Sequence, residues 1–108
     1  VRYKKSPWVE ILKTYINEHL EADLSLKNLS EVCGYSPSFI AHNFKREFSE
    51  TPHRYIMNRR MIKAKKLLEA GSSVKEAALD TGFHDAYHFS NTFKKECGVA
   101  PSRFKTIN

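Results

Sequence analysis

The chain repeats itself at a spacing of 48 to 49 residues, and this repeat limits the folds open to it. The matching segments are LKNLS at 26–30 with VKEAA at 74–78, Gly34-Tyr35 with Gly82-Phe83, FKRE at 44–47 with FKKE at 93–96, and Pro52 with Pro101. Each copy consists of a short helical stretch, a turn that contains glycine, and a second helical stretch. Two copies are too few for a solenoid, which needs at least three. We therefore expect two separate helical hairpins.

Proline and glycine mark the expected ends of the helices. The prolines occur in Ser6-Pro7, Ser36-Pro37, Thr51-Pro52 and Ala100-Pro101. Proline suits the first helical position because an N–H there has no partner within the helix, and a preceding hydroxyl can act as the N-cap. Residues 73–76 (SVKE) predict a capping box, and Ser25 and Asp85 are further N-cap candidates. The glycines Gly34, Gly71, Gly82 and Gly98 predict helix ends.

The sequence predicts an all-α protein, because no segment shows the sustained alternation of a half-buried strand. The expected helices span 7–21, 26–33, 37–48, 52–70, 74–81 and 86–97, with a short seventh after Pro101. We expect the helically spaced apolar residues to lie in cores, which leaves no effector pocket. They are Trp8, Ile11, Leu12, Tyr15, Ile16, Leu20, Phe39, Ile40, Phe44, Tyr55, Ile56, Met61, Ala64, Leu67, Leu68, Phe89 and Phe93.

The positive charge is concentrated in the second half of the chain. Of the 108 residues, 1–50 carry equal numbers of acidic and basic side chains, so the net charge of +6 lies entirely in 51–108. A basic excess favours polyanions, nucleic acid first and anionic membrane second. The chain has 28% charged residues, two cysteines and no apolar run of the roughly 18 residues needed to span a bilayer. These features exclude a membrane protein, a disulfide-rich secreted miniprotein and a disordered tail.

The repeated unit has the pattern of a helix-turn-helix, whose second helix enters the major groove of DNA. We expect one such subdomain at 1–50, a linker helix at 51–71 and a second subdomain at 72–108. At 1.5 Å per residue the linker helix is about 28 Å long. This length is close to the roughly 34 Å between successive major grooves on one face of DNA. The pattern predicts a monomer whose two reading helices lie roughly parallel.

Residues 82–104 (GFHDAYHFSNTFKKECGVAPSRF) resemble the signature of the AraC/XylS family of bacterial transcription regulators. Residues 52–68, with Tyr55, Ile56, Arg60 and Ala64, are similar to the linker helix of that family. The resemblance covers about 8–105 and implies sequence-specific binding to double-stranded DNA. It further implies a cytoplasmic regulator, most often an activator, that can contact RNA polymerase. The chain begins with Val1, so we expect a monomeric domain of a larger protein, which can dimerise through a preceding domain.

The resemblance implies which positions face the bases. They are Ser38, Ala41 and His42 in the third helix, and Ala86, Tyr87, His88 and Asn91 in the sixth. The helical period selects the same faces, because the phenylalanines of both helices must point into the cores. His42 and Asn91 replace an arginine that is common in the family, and Asn prefers adenine to guanine. Ser49 replaces a glycine, so we expect a different turn after the third helix.

Basic side chains near these helices are the candidate phosphate contacts, because phosphates supply most of the sequence-independent affinity. The candidates are Lys45, Arg46, Arg59, Arg60, Lys63, Lys94 and Lys95. Each of them could instead be solvated or paired with a nearby glutamate. For Arg60 a structural role, bracing the two subdomains, is the favoured alternative.

The sequence carries no pattern of catalytic or cofactor-binding residues, and we expect neither an enzyme nor a metal site. His84 and His88 are four residues apart, but zinc needs three or four ligands. We expect Cys33 and Cys97 to be buried small hydrophobic residues. Two other interpretations remain open: a helical protein-interaction module with a basic face, and a module of a methyl-accepting DNA-repair protein. Neither a membrane nor a small-molecule ligand is implied.

Overall fold

Seven helices make up the described part of the chain, residues 7–107, in a computed structural model. The helices are α1 (Pro7–Glu18), α2 (Leu26–Cys33), α3 (Pro37–Phe48), α4 (Pro52–Glu69), α5 (Val74–Asp80), α6 (Ala86–Cys97) and α7 (Pro101–Ile107). No strand occurs within residues 7–107. The predicted all-α fold is confirmed, and α2, α3 and α6 have the predicted bounds. The first helix was predicted to reach residue 21 but ends at Glu18, and in the loop after it the carbonyls of Leu20 and Ala22 accept hydrogen bonds from Arg60 of α4.

The predicted N-caps are present wherever the structure describes them. The hydroxyls of Ser25, Ser36 and Thr51 accept hydrogen bonds from the N–H groups three residues further along. The carboxylate of Asp85 accepts from the His88 N–H at 2.7 Å. Ser73 forms the predicted capping box, in which its hydroxyl accepts from the Glu76 N–H and its own N–H donates to the Glu76 carboxylate. The Ser6 N-cap prediction lies outside the described residues.

Left-handed residues end the second helix of each repeat. Gly98 has φ 89° and donates its N–H to the Lys94 carbonyl. Ser49 has φ 65° and donates its N–H to the Lys45 carbonyl at 2.7 Å. The expected difference at the end of the third helix was therefore wrong. Ser49 adopts the left-handed C-cap that glycine adopts elsewhere, although this conformation costs a non-glycine residue about 1–2 kcal/mol.

The helices belong to two compact units, each with its own core. The first unit contains the residues up to His19 and Asp23–Met57, and the second contains Leu20–Ala22 and the residues from Asn58 onward. Helix α4 contributes its first turns to the first unit and the rest to the second. The first core includes the fully buried Val9, Leu12, Ile16, Leu29, Ile40 and Phe44. The second includes Ala64, Ala77, Phe89 and Phe93, with Phe83 and Phe104 packed edge-on against the phenylalanines of α6.

Several apolar residues lie outside these cores, which corrects the prediction that the cores need all of them. Ile11 is 56% exposed, because the buried stripe of α1 follows Val9, Leu12 and Ile16 on the other side of the helix. Phe39, Tyr15, Tyr55 and Leu67, all expected in cores, are half-buried. Ile62, Leu79 and Tyr87 are exposed. Cys33 and Cys97 are half-buried rather than buried. Within residues 7–107, no helix combines the length and the apolar character needed to cross a bilayer.

Candidate nucleic-acid interface

Helix α3 presents one polar face. Its exposed side chains include Ser38, His42, Lys45 and Arg46. On the opposite side, Ile40 and Phe44 are fully buried. Ring atom Nδ1 of His42 lies 3.2 Å from the Ser38 carbonyl oxygen, so the imidazole folds back along this face. The predicted base-facing residue Ala41 is half-buried at the margin of the face.

Helix α6 presents a larger polar face. Its exposed side chains include Tyr87, His88, Asn91, Lys94 and Lys95. Tyr87 is 79% exposed. Asn91 occupies the middle of the face, because it lies one turn from both Tyr87 and Lys94. The imidazole of His88 packs edge-on against the Phe83 ring, with the ring centres 5.3 Å apart. Ala86 is half-buried at the start of the helix.

The exposed positions of the two helices correspond through the repeat. At a spacing of 49 residues, the equivalent pairs are Ser38 with Tyr87, His42 with Asn91, Lys45 with Lys94 and Arg46 with Lys95. All eight side chains are exposed. Both helices bury equivalent faces in their hairpins, so the repeat exposes the same four positions in each unit. Each unit thus places its predicted base-facing and basic residues together on the second helix of its hairpin.

The turn before each of these helices is held by local hydrogen bonds. Gly34 has φ 82° and Gly82 has φ 87°, conformations that glycine adopts without strain. In the first turn, the Ser30 hydroxyl donates to the Tyr35 carbonyl at 2.6 Å. In the second, the Phe83 N–H donates to the Ala78 carbonyl at 2.9 Å. These contacts set the direction in which α3 and α6 leave their hairpins.

The basic residues of α4 lie in a different environment from those of the two polar faces. Arg59, Arg60 and Lys63 are all half-buried. The guanidinium group of Arg60 donates from Nε to the Leu20 carbonyl at 3.0 Å and from Nη2 to the Ala22 carbonyl at 2.8 Å. Both bonds lie within the second unit, so they give Arg60 a structural role there, and the predicted brace between the two subdomains stays a prediction. Its predicted phosphate contact remains a prediction.

Sequence reasoning missed one exposed aromatic residue beside the polar face of α3. Tyr35 is 42% exposed and directly precedes the N-cap residue Ser36. A comparison of the two repeats could have identified Tyr35, because it has a polar hydroxyl and the equivalent residue, Phe83, has none. Phe83 is only 5% exposed.

Metal binding and the reactivity of one thiol can be judged from the described residues. Among residues 7–107, no group of three or more His, Cys, Asp or Glu side chains could hold a metal ion. Burial raises the pKa of the Cys97 thiol, against a smaller lowering by Lys65. A raised pKa reduces the thiolate fraction and with it the reactivity of the sulfur.

Comparison with known proteins identifies the fold and the family. A family model described as a helix-turn-helix domain matches residues 19–107. The chain is 33% identical over 95 residues to the multiple antibiotic resistance protein MarA of Salmonella typhimurium, covering 87% of this chain and 75% of MarA. The chain belongs to the AraC/XylS family. As a member of this family, it is a DNA-binding domain of the kind used in transcription regulation.

Two further AraC/XylS relatives show the extent of the match. The C-terminal domain of AraT, a response regulator from Geobacillus stearothermophilus, superposes with a TM-score of 0.92 at 29% identity. The match covers 98% of this chain and 89% of the AraT domain. AdaA of Bacillus subtilis, a bifunctional transcriptional activator and DNA repair enzyme, is 31% identical over 104 residues. This match covers 95% of the chain and 49% of AdaA, so the chain spans about half the length of this relative.

Proposed function

We propose that the domain reads two adjacent major grooves of one operator, with α3 in one groove and α6 in the next. The observation that carries this proposal is the pairing of four exposed positions on α3 with four on α6 through the repeat. We assign the domain to a bacterial cytoplasmic regulator that acts as an activator. Contact with RNA polymerase and dimerisation through a further domain belong to this proposal as well. The domain itself acts as a monomer, because it contains both α3 and α6.

Helix α6 supplies most of the direct base contacts in this proposal. Asn91 can pair with N6 and N7 of adenine in a bidentate way, and such a pair discriminates by roughly 1–3 kcal/mol. His88 and Tyr87 flank Asn91 on the exposed face and can donate to base edges. Ala86 and Ala41 offer methyl groups for apolar contact with thymine. On α3, Ser38 and His42 provide shorter or less specific contacts.

The basic side chains position the domain on the DNA backbone. Lys45 and Arg46 end the polar face of α3, and Lys94 and Lys95 end that of α6. Each phosphate that they neutralise releases condensed counterions, so the affinity depends steeply on salt. Arg59 and Lys63 on α4 are further candidates.

Selection of duplexes from a random pool, followed by a salt titration, tests the proposal. We expect one enriched sequence, and a loss of affinity of about 10³- to 10⁵-fold between 50 and 200 mM salt for six to ten phosphate contacts. Replacing both Lys94 and Lys95 by alanine should reduce the salt slope by about two units. Lys66→Ala, an exposed lysine on α4, is the matched control and should reduce the slope by less.

The titration also separates the proposal from the protein-interaction alternative. A module that binds an acidic protein through its basic face would enrich no duplex sequence in the selection. In that case the affinity for all duplexes would fall together with added salt, with no sequence preference at any salt concentration.

The similarity to AdaA makes a DNA-repair role the second alternative, and Cys97 argues against it. A methyl-accepting cysteine has to be reactive, whereas burial raises the pKa of the Cys97 thiol. We therefore assign DNA binding alone to the described residues. Incubation with methylated DNA, followed by mass measurement of the protein, tests this assignment, since transfer would add about 14 Da to one cysteine.

A further inference from the structure

Tyr35 is held rigidly at the edge of the polar face of α3. Its ring stacks on Phe39 with the ring centres 4.5 Å apart and the planes 15° apart. Trp8 packs against both rings, at 5.6 Å from Tyr35 and 5.3 Å from Phe39. The Ser30 hydroxyl fixes the backbone by donating to the Tyr35 carbonyl. Both the ring and the chain that carries it are therefore ordered before any partner binds.

The same aromatic pair occurs in the second unit, but there the polar ring is the other member. Tyr35 corresponds to Phe83, and Phe39 corresponds to His88. In the first unit the exposed ring with a hydrogen-bond donor is Tyr35, in the turn. In the second unit the exposed ring is His88 on α6, which packs edge-on against the buried Phe83. In each unit, a polar aromatic side chain near the start of the second helix contacts an apolar ring at the equivalent position.

We propose that Tyr35 donates its phenolic hydroxyl to a phosphate of the DNA backbone and so positions α3 in its groove. This inference rests on the proposed function, since it assumes that α3 faces DNA. Tyrosine hydroxyls are among the usual donors to phosphate oxygens. Tyr35 lies before the N-cap of α3, whereas the proposed base-facing residues Ser38 and His42 lie within the helix. When α3 lies in the groove, Tyr35 would therefore lie at the edge of the groove, where the phosphates are.

The surroundings of Tyr35 are compatible with a phosphate. The first turn of α3 contains no acidic residue, and its N-cap is the neutral Ser36. The equivalent cap of α6 is the carboxylate of Asp85, which would repel a phosphate. The stacked ring also loses little conformational freedom on binding, because two neighbouring rings already hold it in place.

The test replaces Tyr35 by phenylalanine, which keeps the stacked ring and removes only the hydroxyl. We expect Tyr35→Phe to bind both the selected duplex and an unrelated duplex about tenfold more weakly, the effect of one hydrogen bond to a charged group. The salt slope should stay unchanged, because a neutral hydroxyl releases no counterion. Tyr15→Phe is the matched control: the half-buried ring of Tyr15 in α1 stacks on His19 in the following loop, and we expect no change in binding.

Interference by phosphate ethylation identifies the contact itself. We expect one phosphate whose ethylation weakens binding of the unmodified domain but not of Tyr35→Phe. Equal binding by Tyr35→Phe, an equal loss in Tyr15→Phe, or a loss confined to one base pair would each overturn the phosphate contact while leaving DNA binding intact. Absence of binding by the unmodified domain would overturn the proposed function and this inference together.

Discussion

Replacing Gly82 by alanine should damage the domain far more than the same change at its repeat equivalent, Gly34. Both glycines have a positive φ, of 87° and 82°, so alanine is strained by about 1–2 kcal/mol at either position. Their surroundings differ. A methyl group built on Gly34 would meet no described heavy atom within 4 Å. One built on Gly82 would lie 2.7 Å from Nη2 of Arg60 and 2.7 Å from the Leu20 carbonyl oxygen.

The methyl group at position 82 would displace the guanidinium group or the loop that it holds. Arg60 donates two hydrogen bonds to this loop, at the Leu20 and Ala22 carbonyls. A hydrogen bond that involves a charged group contributes about 1.5–3 kcal/mol. With the backbone strain added, the loss of one of these bonds should make Gly82→Ala destabilise the domain by about 2.5–5 kcal/mol, against about 1–2 kcal/mol for Gly34→Ala.

Thermal unfolding followed by circular dichroism measures both effects. For a domain of about 100 residues, 1 kcal/mol corresponds to a shift in Tm of roughly 4–8 °C. Gly34→Ala should lower the Tm by about 4–16 °C and Gly82→Ala by at least twice as much. In an Arg60→Ala background the additional cost of Gly82→Ala should shrink, since one of the two clashes is gone. Equal Tm shifts for the two glycine variants would refute the close-approach argument.

Four further predictions follow from individual contacts. Arg60→Ala removes both hydrogen bonds of the guanidinium group and should lower the Tm by roughly 10 °C or more, with little change in the salt slope of DNA binding; a slope lower by about one unit at unchanged Tm would instead indicate a phosphate contact. Ser49→Gly should raise the free energy of unfolding in urea by about 1 kcal/mol, because it removes left-handed strain at an exposed position. The capping hydrogen bonds lower the pKa of Glu76, so its contribution is present above about pH 4.5 and is lost as the pH falls; the Tm deficit of Glu76→Ala should shrink between pH 7 and pH 3. Asn91→Ala should relax the preference at one base pair about five- to a hundredfold, whereas His42→Ala should weaken all operator variants evenly in the same binding panel.

Most helix ends could be predicted from the sequence, because they depend on local chemistry. Ser36 and Ser73 cap their helices through hydrogen bonds that span only three residues, so a short sequence pattern contains the whole interaction. The end of α1 could not be predicted in this way. The loop that follows α1 is bound by Arg60, some forty residues further along, and no short sequence pattern contains that contact.

The exposed faces were predictable for a related reason. Helical periodicity places the buried Phe44 and Phe93 on one side, so the opposite side had to carry His42 and Asn91. Periodicity did not predict the exposure of Tyr35, because a turn has no repeating face. Its exposure depends on how three aromatic rings from α1, the turn and α3 stack together.

Some equivalent positions of the two repeats carry the same residue type and others differ, and these differences predict the kind of operator sequence that the domain selects. The lysine pair Lys45 and Lys94 keeps its charge, as expected for contacts to phosphates, which are the same at every base pair. The central reading pair, His42 and Asn91, differs in its hydrogen-bonding groups, and base edges are distinguished by such groups. Two helices with identical base-facing residues would select a direct repeat of one half-site. The base-facing residues of α3 and α6 differ, so we expect the domain to select an asymmetric site. The stricter base requirement should lie in the half contacted by α6.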